Sequence, residues 1–124
     1  MKIKSLIVLL ALGLSACTGG KYAGVPKQYN ELISQTMQTA GSNAKELKKA
    51  LKQAPTTQRE GMAFLISYMP ERDAKSLTAD FLLENVAYAY KARNEFPWAK
   101  EVPNDIFLND VVAYVNLNEK RENW

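Results

Sequence analysis

Residues 77–96 read LTADFLLENVAYAYKARNEF, and this stretch decides the fold class. Its apolar residues recur at intervals of three and four, which is the spacing of one face of an α-helix. Ser76 or Thr78 is the predicted N-cap, because a hydroxyl there accepts a hydrogen bond from a free amide of the first turn. The predicted inward side chains are Leu82, Leu83, Val86, Ala87 and Tyr90. Phe81 and Tyr88 lie beside this face, so we predict a long helix, spanning the stretch to about its end, that packs against more than one neighbour.

Two helical patterns precede this stretch. Pro26 favours the first turn of a helix that runs to the residue before Gly41, and the glycine stops it. Ser42 or Asn43 is the predicted cap of a second helix, with Glu46 placed to complete a capping box. The apolar residues of both segments recur with helical spacing, so we expect each helix to turn this face inward.

A third helix is predicted to begin with a capping box over 57–60, in which Thr57 covers the amide of Glu60 and Glu60 reaches back. This helix is strongly apolar and ends before Pro70, so we expect it to be the most buried element. After Pro103 a further helical pattern continues in one or two pieces, and no run of residues alternates as a strand would. The sequence therefore predicts an all-α domain, a small bundle of about five helices.

The first residues have the order of a secretory signal. Lys2 and Lys4 precede an apolar run that is too short for the roughly 20 residues of a membrane-spanning helix. Residues 14–17, Leu-Ser-Ala-Cys, resemble the lipobox of bacterial lipoproteins. The resemblance implies that the bond before Cys17 is cut and that its thiol carries a diacylglyceryl group; an uncleaved helix and a signal without lipid are the alternatives. We expect a signal peptide over 1–16, a lipidated tether over 17–25 and a helical domain over 26–124.

The expected location is the cell envelope, with the lipid anchor as the contact to the membrane. The residue after the anchor is Thr18 rather than the aspartate that retains lipoproteins in the inner membrane of enteric bacteria. Residues 18–21 also lack the acidic stretch that marks surface export in the Bacteroidetes. We therefore expect attachment to the outer membrane, facing the periplasm.

The residue inventory excludes the usual catalytic pairs. The chain has no histidine, and Cys17 is its single cysteine, so neither a Cys-His site nor an internal disulfide can be built from it. Asp80 and Glu84 are four residues apart and would share a helix face, as the carboxylates of a glycosidase or a metal site might. The alternative is two acids on a solvated face. We expect no enzymatic activity, no cofactor and no metal.

The charged residues predict one distinctive surface. The chain has 16 basic and 13 acidic residues, and the signal peptide accounts for Lys2 and Lys4, so the mature chain is nearly neutral and a nucleic-acid partner is not expected. Four lysines share one face of the second helix: Lys45, Lys48, Lys49 and Lys52. They predict either contact with anionic lipid head groups or a solvated face. In both cases they lie outside, because burying like charges without partners is prohibitive.

The last two fifths of the chain resemble a known family. The sequence words are FLLEN at 81–85, FPW at 96–98 and IFLN at 106–109. Together they resemble the helical region that precedes the catalytic core in transglutaminase-like lipoproteins of the Bacteroidetes. The resemblance implies a non-catalytic accessory or docking domain, because the cysteine, histidine and aspartate of that family's papain-like triad have no counterpart here. The alternative is an N-terminal fragment of such an enzyme.

Apolar residues near the end of the chain form the predicted binding surface. We expect either a transglutaminase-like catalytic domain or another envelope protein to cover them, since buried aromatic residues dominate interface energies. The predicted surface residues are Trp98, Phe107, Val111, Val112 and Trp124. The alternative is that this segment folds back on the long helix.

Overall fold

The structure, a computed structural model, describes residues 21–112. Within them the main elements are seven helices: α1 (Asn30–Ala40), α2 (Ala44–Gln53), α3 (Arg59–Tyr68), α4 (Glu71–Ala74), α5 (Ala79–Glu95), α6 (Pro97–Lys100) and α7 (Asn104–Ile106). Single 3-10 turns at Lys27–Tyr29, Gly41–Asn43 and Thr56–Gln58 precede α1, α2 and α3, and a π-helical segment at Phe107–Val111 follows α7. The all-α prediction is confirmed.

The long helix α5 lies at the centre of the packing. It packs on α2 and α3, while α1 packs on α3 and α4. The buried side chains of α5 are Ala79, Phe81, Leu82, Val86 and Ala89. Four of these follow the three-four-three spacing of one helix face. The predicted face was therefore slightly misplaced: Ala87 is exposed, and Leu83 and Tyr90 are half-buried.

Aliphatic side chains from four helices form much of the core. Those fully enclosed include Ile33, Leu47, Leu51, Met62, Ile66, Leu82 and Val86. Helix α3 contributes most, with six of its ten residues buried, as its apolar sequence predicted. None of the helices in the described part of the chain is long and apolar enough to cross a membrane.

The start of α5 is capped from two directions. Thr78 accepts a hydrogen bond at its Oγ1 from the amide of Phe81, at 3.2 Å, so the prediction of Thr78 as the N-cap is confirmed. The amide of Ala79 donates to Glu46 Oε2 at 2.9 Å. The prediction that Glu46 caps its own helix is wrong, because its carboxylate reaches across to α5 instead.

Two other predicted caps are also wrong. The side chain of Asn43 does not cap α2; its Nδ2 donates to the carbonyls of Ala74 and Leu77, each at 2.9 Å. The capping box at Thr57 and Glu60 does not form either, because a 3-10 turn fills the space before α3 and no side chain caps that helix. A tertiary hydrogen bond therefore takes the place of the cap at α2, and a 3-10 turn takes its place at α3.

The N-terminal segment 21–25 belongs to the domain. Val25 is buried, and its amide donates to the carbonyl of Tyr22 at 3.1 Å, while Tyr22 packs on the core. Residues of the segment predicted as a tether thus contact the helical domain.

Candidate functional site

The last two turns of α5 line two adjoining depressions in the surface. The first is a polar cleft of about 390 Å³. The second is a small apolar hollow of about 40 Å³. Arg93 lies between them and contributes to both walls. The polar cleft is lined by Thr57, Gln58, Glu60, Tyr90, Arg93, Asn94 and Asn104.

Arg93 ties α5 to the chain that follows α6. Its Nη1 donates to Asn104 Oδ1 at 3.2 Å, and its Nη2 donates to the carbonyl of Val102 at 3.0 Å. The guanidinium carbon lies 4.2 Å from the centre of the Phe107 ring, a distance at which a cation is attracted to the ring face. Arg93 therefore fixes the wall that separates the cleft from the hollow.

Tyr90 forms the inner end of the cleft. Its hydroxyl accepts a hydrogen bond from the amide of Gly61 at 3.2 Å. Its ring meets Phe107 edge to face, with ring centres 5.0 Å apart. Burial is the largest effect and raises the pKa of the Tyr90 hydroxyl; the hydrogen bond from Gly61 lowers it by less, and the smaller effects of Glu60 and Arg93 oppose each other. The hydroxyl is therefore neutral at physiological pH.

Gly61 is required by this close approach. A Cβ at this position would lie 2.7 Å from Cε2 of Tyr90, well inside van der Waals contact. A glycine in the interior of a helix is unfavourable by about 1 kcal/mol relative to alanine, so its presence in α3 is the sequence signal of a close neighbour. That signal does not say which residue the neighbour is.

The cleft is closed on its outer side by Asn104, whose Nδ2 approaches Glu60 Oε2 at 3.4 Å. Thr57, Gln58 and Asn94 add polar groups without side-chain hydrogen bonds to other described residues. Tyr90 was predicted on the apolar face of the long helix and Glu60 in a cap, whereas no sequence pattern pointed to Arg93. The missing information was the position of the chain after α6, which brings Asn104 to α3.

The apolar hollow lies beside two exposed aromatic rings. Its wall includes Trp98, Val102, Phe107 and Val111. Trp98 is 68% exposed and stacks on Phe96, which is 49% exposed, with ring centres 6.0 Å apart and planes 25° from parallel. Adjoining exposed aromatic rings form an apolar patch, and such patches often mark interaction sites.

The predicted binding surface is only partly available. Trp98 and Val111 are exposed as expected. Phe107 and Val112 are only 1% and 2% exposed and belong to the core. The prediction that these two residues lie on the surface is therefore wrong. The amide of Val112 donates to the carbonyl of Phe107 at 2.9 Å. This bond across five residues places the two side chains one turn apart on the same inward side. Trp124 lies outside the described residues.

The four predicted lysines of α2, Lys45, Lys48, Lys49 and Lys52, are all exposed, which confirms that this face lies outside. Lys49 Nζ is 3.1 Å from Asp80 Oδ1, and both side chains are largely in solvent. Glu84 accepts a hydrogen bond from the Tyr88 hydroxyl at 3.0 Å. Asp80 and Glu84 therefore have separate partners. No group of three or more potential metal-ligating side chains occurs within 21–112.

The predicted lipidation site, Cys17, lies outside the described residues. Comparison of the chain with protein-family models, with curated proteins and with solved structures gives no match.

Proposed function

We propose that this protein is a lipid-anchored envelope protein whose helical domain docks a protein partner and has no catalytic activity of its own. The observation that carries the proposal is the exposed Phe96–Trp98 stack beside the apolar hollow. The partner's class follows from the resemblance: a transglutaminase-like catalytic domain or another envelope protein that offers an apolar side chain to the hollow.

The composition of this face supports a protein partner. Tryptophan, tyrosine and arginine are the residues most enriched where a few side chains supply most of the binding energy. Trp98, Tyr90 and Arg93 lie together here, and Arg93 and Tyr90 are held by hydrogen bonds within the domain. Because they are already ordered, a partner loses less conformational entropy when it binds them.

The proposed anchor follows from the lipobox-like residues 14–17. A thioether-linked diacylglyceryl group on Cys17 supplies two chains, and two chains are sufficient for stable attachment. Cys17→Ala is expected to release the protein from membranes or to block its processing, as measured by fractionation of cells and by the mass of the mature chain. Membrane retention with normal cleavage would contradict the anchor.

The absence of catalysis is part of the proposal and rests on composition. The sequence contains no histidine, and its single thiol is assigned to the anchor. The polar side chains at the centre of the cleft hold the fold together, since Arg93 bonds to Val102 and Asn104. We infer that the cleft orients a partner rather than transforming a substrate.

A crosslinking experiment tests the docking face. A benzophenone amino acid is placed at Trp98 and, as a matched control, at Tyr88, which is 53% exposed on the same stretch of chain but outside the hollow. Irradiation of intact cells is expected to give a specific adduct from position 98 and none from position 88. Mass spectrometry then identifies the crosslinked protein.

The identified protein is then tested with purified components. Trp98→Ala is expected to weaken its binding about 30-fold, which corresponds to about 2 kcal/mol for an interface hot spot, and Tyr88→Ala is expected to leave it unchanged. Equal adducts from both positions, or binding that ignores Trp98→Ala, would contradict the proposal. If the coding frame were found to continue into a Cys-His-Asp core that crosslinks to position 98, the chain would be part of an enzyme.

A further inference from the structure

Arg59 holds the N-terminal segment against the end of α2. Its Nη1 donates to the carbonyl of Ala23 at 2.8 Å, and its Nη2 donates to the carbonyl of Lys52 at 3.0 Å. Its Nε donates to the carbonyl of Ala54 at 3.0 Å. One guanidinium group therefore joins the beginning of the domain to the last turn of the helix that carries the four lysines.

The backbone next to this contact is closely packed. Gly24 has a φ of +77°, and a Cβ there would lie 3.0 Å from Thr56 Cγ2 and 3.2 Å from the Thr56 carbonyl oxygen. The next residue, Val25, is 4% exposed. The point at which the chain enters the domain is therefore fixed beside Lys52 and does not swing away from it.

The position of this entry point matters if the chain is lipidated. Lys21 is four positions after Cys17 in the chain, and an extended chain covers at most about 3.5 Å per residue, or roughly 14 Å in all. With the proposed lipid on Cys17, the end of α2 is confined to a short distance from the head groups. This confinement depends on the proposed lipid anchor.

Charge is unevenly divided between the two parts of the described chain. Residues 21–59 contain seven basic and two acidic side chains, whereas residues 60–112 contain five basic and nine acidic ones. Although the mature chain is nearly neutral, residues 21–59, which include the entry point, are net positive, and residues 60–112 are net negative. The excess of positive charge in the segment that carries α2 favours an anionic partner.

The lysines of α2 are free to meet such a surface. Lys45, Lys48 and Lys52 are exposed and have no ion pair with any other described residue. Lys49 pairs with Asp80, but the side chains are 43% and 77% exposed, and an ion pair of this kind contributes little. The lysine face, defined by these four residues, therefore carries charge that the fold itself does not neutralise.

We propose that the lysine face binds the phosphate groups of anionic lipids and lays α2 along the membrane that the lipid anchor holds. Two contacts, the acyl chains at Cys17 and the lysine face, then fix the orientation of the domain. Lysine ammonium groups near an anionic bilayer act additively and are screened by salt. The anchor prevents escape, and the lysine face decides which side of the domain faces the lipid.

The test removes the lipid so that the lysine face acts alone. The mature chain 17–124 carrying Cys17→Ser is sedimented with vesicles of phosphatidylcholine or of phosphatidylcholine with roughly one third phosphatidylglycerol. The chain is expected to bind the anionic vesicles and not the neutral ones, and 0.5 M salt is expected to release it. The combined variant Lys45→Glu, Lys48→Glu and Lys52→Glu is expected to lose at least about a hundredfold in binding.

A matched variant separates the lysine face from net charge. Lys75→Glu, Lys91→Glu and Lys100→Glu change the net charge equally at exposed positions outside α2, and this variant is expected to keep most of the binding. Circular dichroism of both variants confirms that the helices are retained. Equal loss from the two variants, or no binding of the parent chain to anionic vesicles, overturns the proposal. Neither result bears on the anchor or on docking at Trp98, which are tested separately.

Discussion

The two ends of α5 are held in different ways. At its beginning, Glu46 accepts from the amide of Ala79, and Asn43 donates to two carbonyls in the connection from α4. The first turns of α5 also carry Leu82 and Val86, which are almost completely enclosed. Partners more than 30 residues away in the chain therefore add to the local Thr78 cap in holding the start of this helix.

At its end, α5 is held by bonds that lie close to the surface. Arg93 donates to groups that follow α6, Tyr90 accepts from Gly61, and the chain beyond then leaves Phe96 and Trp98 exposed. The two ends of α5 therefore have different roles: the beginning stabilises the bundle, and the end presents a surface. Substitutions at the beginning should affect stability, and substitutions beyond the end should affect binding.

The largest effect is expected from Leu82→Ala at the enclosed beginning. Removing a fully buried leucine side chain costs about 2–5 kcal/mol, because a cavity remains. The free energy of unfolding from urea titrations measures the loss. Leu83→Ala is the control, since Leu83 is half-buried and should lose clearly less. Equal losses at the two positions would show that the beginning of α5 is not packed as described.

A smaller loss is expected from Asn43→Ala. The substitution leaves the carbonyls of Ala74 and Leu77 without their shared donor, which costs about 1–3 kcal/mol for partly buried groups. Asn109→Ala is the control, because Asn109 donates to the carbonyl of Asp105 within its own exposed helical segment and should change stability by less than about 0.5 kcal/mol. Similar values for the two variants would contradict a long-range role for Asn43.

At the other end of α5, Tyr90→Phe is expected to cost about 1 kcal/mol at neutral pH, because the Gly61 amide loses its acceptor. The pKa of Tyr90 is raised in the folded protein, chiefly by burial. Its contribution to stability is therefore complete below the unfolded pKa of about 10 and is lost as the pH rises through the folded pKa.

Urea titrations between pH 7 and 11 test this pH dependence. Stability of the parent protein is expected to fall above about pH 10, and Tyr90→Phe should make that fall less steep. Tyr88→Phe is the comparison variant. The pKa of Tyr88 is also raised, but mainly by its hydrogen bond to Glu84 at an exposed position rather than by burial. A parent and a Tyr90→Phe variant with the same slope would place Tyr90 outside the folded core.

The same contrast explains what could be predicted from the sequence. The extent of α5 and its Thr78 cap depend on residues close together in the chain, and both were predicted correctly. The roles of Glu46 and Asn43 were not, because each side chain bonds to a segment more than 30 residues away. A capping pattern describes which bonds are available locally, and tertiary contacts decide which of them form.

The candidate site shows the same limit at a finer scale. Trp98 was assigned to the binding surface as an aromatic residue near the end of the chain, and it is 68% exposed. Phe107 and Val112 were placed on the same surface because their segment was treated as an ordinary helix. The π-helical turn spaces them five residues apart on one inward side, and such a turn has no reliable sequence signal.

The smallest effect on stability is expected from Trp98→Ala, a substitution that should affect partner binding instead. A side chain that is 68% exposed contributes little to the core, so the free energy of unfolding should change by less than about 1 kcal/mol. Partner binding by the same variant should nevertheless weaken strongly. If Trp98→Ala instead destabilised the domain as much as Leu82→Ala, the tryptophan would be part of the bundle's own packing. The end of α5 would then differ from its beginning in exposure but not in purpose.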